Sequence, residues 1–170
     1  PRAAVLKRMQ DAMAKTLAEL WPARKSSSVV KTPEEAVNLA AIVEKETAKA
    51  EERRTIAGVY SNRIRIGMML QADPTVIYPI TKGKPLGRRI RQSELRADNG
   101  YNTYAKAGLP TGPIANPGRA SIEAVLDPET TDALYFVADG TGGHVFARTL
   151  AEHNANVVKW RAIRRERGEL

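Results

Sequence analysis

Apolar residues recur at helical spacing twice in the first third of the chain. Val5, Met9, Met13, Leu17 and Leu20, with Trp21, follow one another every three or four residues. That spacing predicts an amphipathic helix over residues 3–21, packed on the core with Met9 and Met13 inside it. After a polar connector, Pro22 to Ser28, a second helix starts near Pro33. Thr32 is a good N-cap, Pro33 takes the first helical position, and Glu35 completes a capping box. Its apolar face carries Leu39, Ile42, Val43 and Ala50. Residues 51–66 continue helically with Ile56, Val59, Tyr60 and Ile64 buried, as far as Gly67, which fits a helix closing over the one before. QADPTVIYP, Gln71 to Pro79, is a β-branched run with prolines and reads as a short strand or extended segment, Asp73 being held extended ahead of Pro74 and capping a turn. Ser121 to Leu126 reads as a short helix stopped before Pro128. LYFVADGTGGHVFA, residues 134–147, is the clearest hairpin, two apolar strands about a Gly-rich turn. Thr149 and Glu152 form a capping box for a final helix whose apolar line is Leu150, Val157, Val158 and Trp160.

These elements make an α+β chain, mainly helical, with one small β-hairpin. With 170 residues, 42% of them hydrophobic and no repeat among them, one core can be buried. The expected organisation is a single domain over 1–170: a leading helix and connector (1–30), a core (31–158) and a basic tail (159–170). Zero cysteines exclude disulfides and thiolate chemistry, and no apolar run approaches the roughly 18 residues of a membrane span. A net charge of +8 favours an anionic partner: nucleic acid, an anionic membrane surface or an acidic wall polymer. The positives gather at Lys159, Arg161, Arg164, Arg165 and Arg167, and at Lys82, Lys84, Arg88, Arg89 and Arg91. Only 5% of residues are aromatic and no helix-turn-helix or RNA-binding signature is present, which counts against nucleic acid. GTGG lacks the lysine and hydroxyl residue of a phosphate loop, and His144 and His153 fit no metal-ligand spacing. No nucleic acid, metal or cofactor is expected.

The second helix singles out one acid. At about 100° per residue, Leu39, Ile42, Val43 and Ala50 fall within about 60° of Glu46, whereas Glu44 points roughly 160° away, toward Val37 and Ala41. A carboxyl among Leu, Ile and Val loses hydration, which raises its pKa and suits it to general acid work near neutral pH. The commoner fate of such an acid is an exposed pair, here with Lys49 or Arg53, worth roughly 0.2–0.5 kcal/mol. Periodicity alone leaves both readings standing. YNTY, Tyr101 to Tyr104, places two rings and an amide where they could stack on sugar faces and bond hydroxyl or acetamido groups, or equally form a structural corner. GLPTGPIANPG, Gly108 to Gly118, is stiffened by three prolines and opened by three glycines, and is expected to be a fixed loop able to present backbone groups to a ligand.

Taken together, AIVEKET with the following EER, then YSNRIRIGMMLQADPTVIY, YNTY, GLPTGPIANPG, YFVADGTGGHVF and LAEHN resemble the MltG-type (YceG-like) endolytic murein transglycosylases, in family order from about Leu6 to Val158. The resemblance implies a bacterial enzyme that cuts peptidoglycan glycan strands internally, with a lysozyme-related catalytic domain. It also implies a periplasmic or extracytoplasmic place at the inner membrane, with peptidoglycan synthases as candidate partners. The family's N-terminal membrane anchor and LysM-like subdomain are not in these residues, so the chain is expected to be the catalytic portion. The family's catalytic glutamate falls on Glu46, and Glu46-Thr47 is similar to the Glu-Ser pair of other lytic transglycosylases. Gln71, Asp73, Pro74, Thr75, Asn102, Tyr104, Asn116 and His144 match the family pattern and are expected to bind substrate or support the site. The implied reaction cleaves the MurNAc-β-1,4-GlcNAc bond and leaves a 1,6-anhydroMurNAc end, with Glu46 as acid and then base. Two rivals remain. A muramidase using water would need a second acid, such as Asp73, across the bond from Glu46. A noncatalytic basic module would bind wall polymer or nucleic acid in a salt-dependent way, indifferent to Glu46.

Overall fold

The computed structural model describes residues 1–170. The order is α1 (Arg2–Leu20), α2 (Pro33–Glu46), α3 (Arg53–Arg65), α4 (Asp73–Thr81), the single turn α5 (Gln92–Leu95), α6 (Arg119–Leu126), β1 (Tyr135–Ala138), β2 (His144–Ala147) and α7 (Leu150–Glu166). The two strands form one antiparallel hairpin, with Tyr135 opposite Ala147 and Ala138 opposite His144. The fold is α+β and mainly helical, as the patterning implies.

Ala36, Leu39, Ala40, Ala41, Ile42 and Val43 are all fully buried, so α2 is enclosed on nearly every side. It packs on α6, α3 and α4, and an all-round apolar helix belongs inside. Ile56, Ala57 and Tyr60 of α3 and Ile122, Val125 and Leu126 of α6 join the same core. Each large aliphatic side chain so buried contributes about 1.5–3 kcal/mol. At its start, Thr32 Oγ1 accepts the Glu35 N–H at 3.1 Å, while the Glu35 carboxylate reaches back one residue further than a capping box does, to the Lys31 N–H at 2.7 Å.

Several expectations are corrected. The second helix stops at Glu46, because Thr47 is extended (φ −143°, ψ 141°). The Thr47 hydroxyl accepts the Lys49 N–H at 3.0 Å, and one 3-10 turn, Ala50–Glu52, leads into α3. Ala50 is therefore exposed and lies on no apolar face. Gln71 to Pro79 is not a strand: α4 begins at Asp73, with Pro74 in the first turn, where its missing N–H has no helical partner to lose. Packing on α2 outweighs the β-branched composition there. Only the C-terminal half of α1 reaches the core, through Met13, Leu17 and Leu20, joined by Trp21 in the turn that follows. Val5 and Met9 are each 45% exposed. The Thr149–Glu152 capping box forms as expected, but Leu150 and Val158 are exposed, and much of the basic tail is α7 itself, which stays helical to Glu166.

A Cβ on Gly58, in the buried middle of α3, would lie 2.5 Å from the Glu129 carbonyl oxygen and 3.0 Å from Thr131 Cγ2. Helix propensity favours alanine there by about 1 kcal/mol, whereas overpacking against fixed backbone costs about 1–3 kcal/mol. Gly58→Ala is expected to lower stability by about 1–2 kcal/mol in urea unfolding; a gain would mean that the segment around Glu129 yields freely.

Candidate active site

Glu46 is the last residue of α2, placed where the buried helix meets an open cleft of about 350 Å³. The chain doubles back through the Thr47–Glu52 turn, and α3 packs on α2. Tyr60 thereby donates its hydroxyl to Glu46 Oε1 at 2.6 Å. Glu46 Oε2 makes no hydrogen bond within the protein and is not sealed from solvent. Burial raises the Glu46 carboxyl from 4.5 to about 7, against the opposing pull of the Tyr60 hydrogen bond; the Asp73 charge adds to the rise, while His144 and Arg63 counter it. The C-terminal end of a helix carries partial negative charge, which also disfavours the anion. Burial holds the Tyr60 phenol well above its ordinary range, so it stays a donor. Glu44 turns the other way, as the helical wheel implies, and accepts from the Ser121 hydroxyl and the Gly118 N–H.

The opposite wall comes from the start of α4 and the segment before it. Gln71 and Asp73 line the cleft, and Tyr104 donates its hydroxyl to Asp73 Oδ1 at 2.5 Å. Burial and the Asp73 contact push the Tyr104 phenol upward. Gln71 holds a left-handed backbone (φ 51°), uncommon for a residue other than glycine. Its N–H donates to the Thr103 carbonyl at 3.1 Å, which fixes that geometry. The hairpin and α7 supply the remaining side through Phe136, His144, His153 and Val157. Arg63 ties the walls together: its guanidinium donates to the carbonyls of Leu134 (2.7 Å), Leu70 (2.7 Å) and Met69 (3.2 Å).

The cleft thus gathers Glu46, Gln71, Asp73, Tyr104 and His144 among the sequence candidates, with Pro74 just outside it. It does not gather three others. Thr75 is fully buried, and its hydroxyl donates to the Ala72 carbonyl at 2.7 Å and shares a 2.8 Å contact with the Thr103 hydroxyl. Asn102 is buried as well. Its amide nitrogen donates to the carbonyls of Glu94, Leu95 and Ala97, and its oxygen accepts the Tyr104 N–H. Both side chains are occupied in closing loops, so neither faces a ligand. Asn116 is exposed beside Leu6, Met9 and Met13, in a groove along α1. Tyr101 packs on Tyr78 (ring centroids 5.1 Å apart), and the Gly108–Gly118 loop is pinned to α2 by Asn38, which donates to the Pro110 carbonyl at 2.7 Å. The loop is fixed as expected, but it does not line this cleft.

Sequence reasoning missed the contributions of Tyr60, Arg63, Phe136 and His153. Tyr60 reads as core, although a tyrosine on a buried helix face needs a partner for its hydroxyl, and the structure gives it Glu46. No cluster of three His, Asp or Glu side chains is placed to ligate a metal, and no helix is long and apolar enough to cross a membrane.

The profile of the YceG-like family matches residues 1–159. A Bacillus subtilis protein named endolytic murein transglycosylase is 42% identical over 131 residues, covering 77% of this chain and 36% of that relative. One of the same name from Streptococcus pneumoniae is 38% identical over 157 residues, covering 89% of this chain and 28% of that relative. A crystal structure of a YceG-like protein from Listeria monocytogenes superimposes with a TM-score of 0.65 at 41% identity, over 72% of this chain and 38% of that one. The chain therefore spans about a third of the length of the relatives it matches.

With a carboxyl at 4.5 when unfolded and about 7 when folded, the native state binds the Glu46 proton more tightly. Its contribution is complete below pH 4.5 and is lost as pH rises toward 7, a loss of roughly 3 kcal/mol. Glu46→Gln keeps an acceptor for Tyr60 and has no charge to bury. It is expected to match the wild type near pH 4 and to exceed it by up to roughly 3 kcal/mol at pH 8 in denaturant titrations; equal stability at both pH values would show that Glu46 is solvated.

Proposed function

This chain belongs to the YceG-like family, and from that premise we propose that it carries the catalytic centre of an endolytic murein transglycosylase, with Glu46 as general acid and then base. The observation that carries the reading is a half-buried carboxyl at the edge of an open cleft, one oxygen held by Tyr60 and the other free, which burial raises to about 7. Protonated Glu46 gives its proton to the glycosidic oxygen as the bond to C1 of N-acetylmuramic acid breaks. The resulting carboxylate, steadied by the Tyr60 hydroxyl, then takes the proton of the sugar's own C6 hydroxyl, whose oxygen closes on C1. The product is a 1,6-anhydro end, no water is consumed, and Glu46 is protonated again. Intramolecular attack has a high effective molarity, which is why one acid suffices where ordinary glycosidases use two.

Asp73 brings a carboxylate to the facing wall. There it can stabilise the positive charge that develops at C1 and, with Tyr104 and Gln71, hold ring hydroxyl or acetamido groups. The same residue is what a water-using muramidase would employ as base, so product chemistry separates the two. The substrate assigns the work to the extracytoplasmic side of the membrane, where murein lies, and makes the synthases that extend glycan strands natural partners.

Purified sacculi incubated with the protein are expected to release muropeptides whose ends are lighter by one water in mass spectra, and Glu46→Gln is expected to slow that release at least 100-fold. Reducing ends would indicate hydrolysis with Asp73 as base, and undiminished release by Glu46→Gln would remove Glu46 from the chemistry. Because the acid must be protonated, the rate is expected to fall about tenfold per unit above about pH 7.

A further inference from the structure

Glu52 makes no direct contribution to the cleft lining, yet it is tied to a residue that does. Its Oε1 accepts the backbone N–H of His144 at 2.8 Å, and its Oε2 lies 2.8 Å from the ring Nδ1. The Thr47 hydroxyl, one residue past Glu46, donates to the same Oε2 at 3.1 Å. Both side chains are well shielded, 13% exposed for Glu52 and 16% for His144. The edge of the Phe136–His144 pair, at 90° and 5.2 Å between centroids, fixes the plane of the imidazole. The hairpin comes this close because residue 143 is glycine: a Cβ there would stand 2.6 Å from Glu52 Oε1 and 2.8 Å from Lys49 Nζ.

This arrangement dictates where the hydrogen of the imidazole sits. Burial pushes the Glu52 carboxyl up, but the hydrogen bonds from the His144 ring and backbone outweigh it and hold the group below the usual carboxylate range. A carboxylate can only accept, so Nδ1 must carry a hydrogen, and the neutral ring keeps its lone pair on Nε2. Nε2 has no partner within the protein, and His144 lines the cleft that Glu46 opens into. We propose that Glu52 is a positioning residue of this site: it sets the tautomer and direction of His144, so that Nε2 faces the cleft as a hydrogen-bond acceptor for a hydroxyl of the bound glycan. The sugar part of this inference rests on the glycan-cleaving reading above; the hold of Glu52 on the imidazole does not.

The test joins nitrogen-15 NMR of the imidazole with turnover of sacculi. In the wild type at a pH where the ring is neutral, His144 is expected as the Nδ1–H tautomer. In Glu52→Gln the amide oxygen can keep the backbone N–H, but the amide nitrogen then donates to Nδ1 and moves the ring hydrogen to Nε2. The inverted tautomer is expected to accompany a fall in kcat of about 10- to 100-fold with a smaller change in KM. That fall is expected to vanish in a His144→Ala background, because Glu52 acts through the ring. Gly143→Ala, which keeps the carboxylate but displaces it, is expected to weaken the tautomer preference and serves if Glu52→Gln folds poorly. A wild-type ring bare at Nδ1 would overturn the proposal. So would an equal loss from Glu52→Gln with and without His144, which would make Glu52 a staple for the hairpin alone. Should the wild type release no anhydro ends, the parent reading fails on its own, and the NMR result still decides whether Glu52 governs the ring.

Discussion

A helix enclosed on nearly every side offers chiefly its ends, and α2 offers Glu46. The last side chain of α2 is half-buried, one oxygen held by Tyr60 and the other turned to the cleft. Dehydration, the negative end of the helix and a second carboxylate across the cleft all act in one direction on that group. Tyr60 acts in the other, and it is delivered by the same constraint: α3 must lie on α2 to bury their shared aliphatic faces. The acid and the donor that steadies its conjugate base are thus products of one packing decision.

The rest of the cleft is fastened to that decision through Arg63. A guanidinium buried between three backbone carbonyls is costly unless each bond is made, and here two of them fix the approach to α4 and the third the entry to the hairpin. Burial lowers the Arg63 guanidinium from its ordinary value, but it remains a cation, and its charge tempers the rise at Glu46. A single side chain of α3 therefore joins wall to wall and sets part of the electrostatics between them.

Local sequence signals described what local physics governs. The start of α2, the hairpin, α6 and the capping box of α7 were legible because caps, turns and periodicity are written within a few residues. The prominence of Glu46 over Glu44 was legible for the same reason. The break after Glu46 was not, since Thr-Ala-Lys-Ala-Glu-Glu has no proline or glycine to announce it, and it depends on the Thr47 hydroxyl turning back on Lys49. Nor was α4, whose β-branched composition yields to packing on α2. Thr75 and Asn102 matched a family pattern, yet hydroxyl and amide side chains are also what buried loops use to satisfy backbone groups, and the two roles look alike in one dimension. Glu52 and His144 stand 92 residues apart, and nothing local signals that pairing.

The hairpin that closes one side of the cleft is two strands of four residues each. A ribbon of that size does not hold its shape alone in water; α7, Arg63 and Glu52 hold it, and Phe136 and Phe146 pack it against the α2–α3–α6 core. The site accordingly joins a helical half packed through its own interior to a hairpin half whose shape is borrowed from its neighbours. A ligand spanning both halves adds to that hold. By bridging them it stabilises the bound arrangement by mass action, and the half with the least interior of its own gains one more attachment.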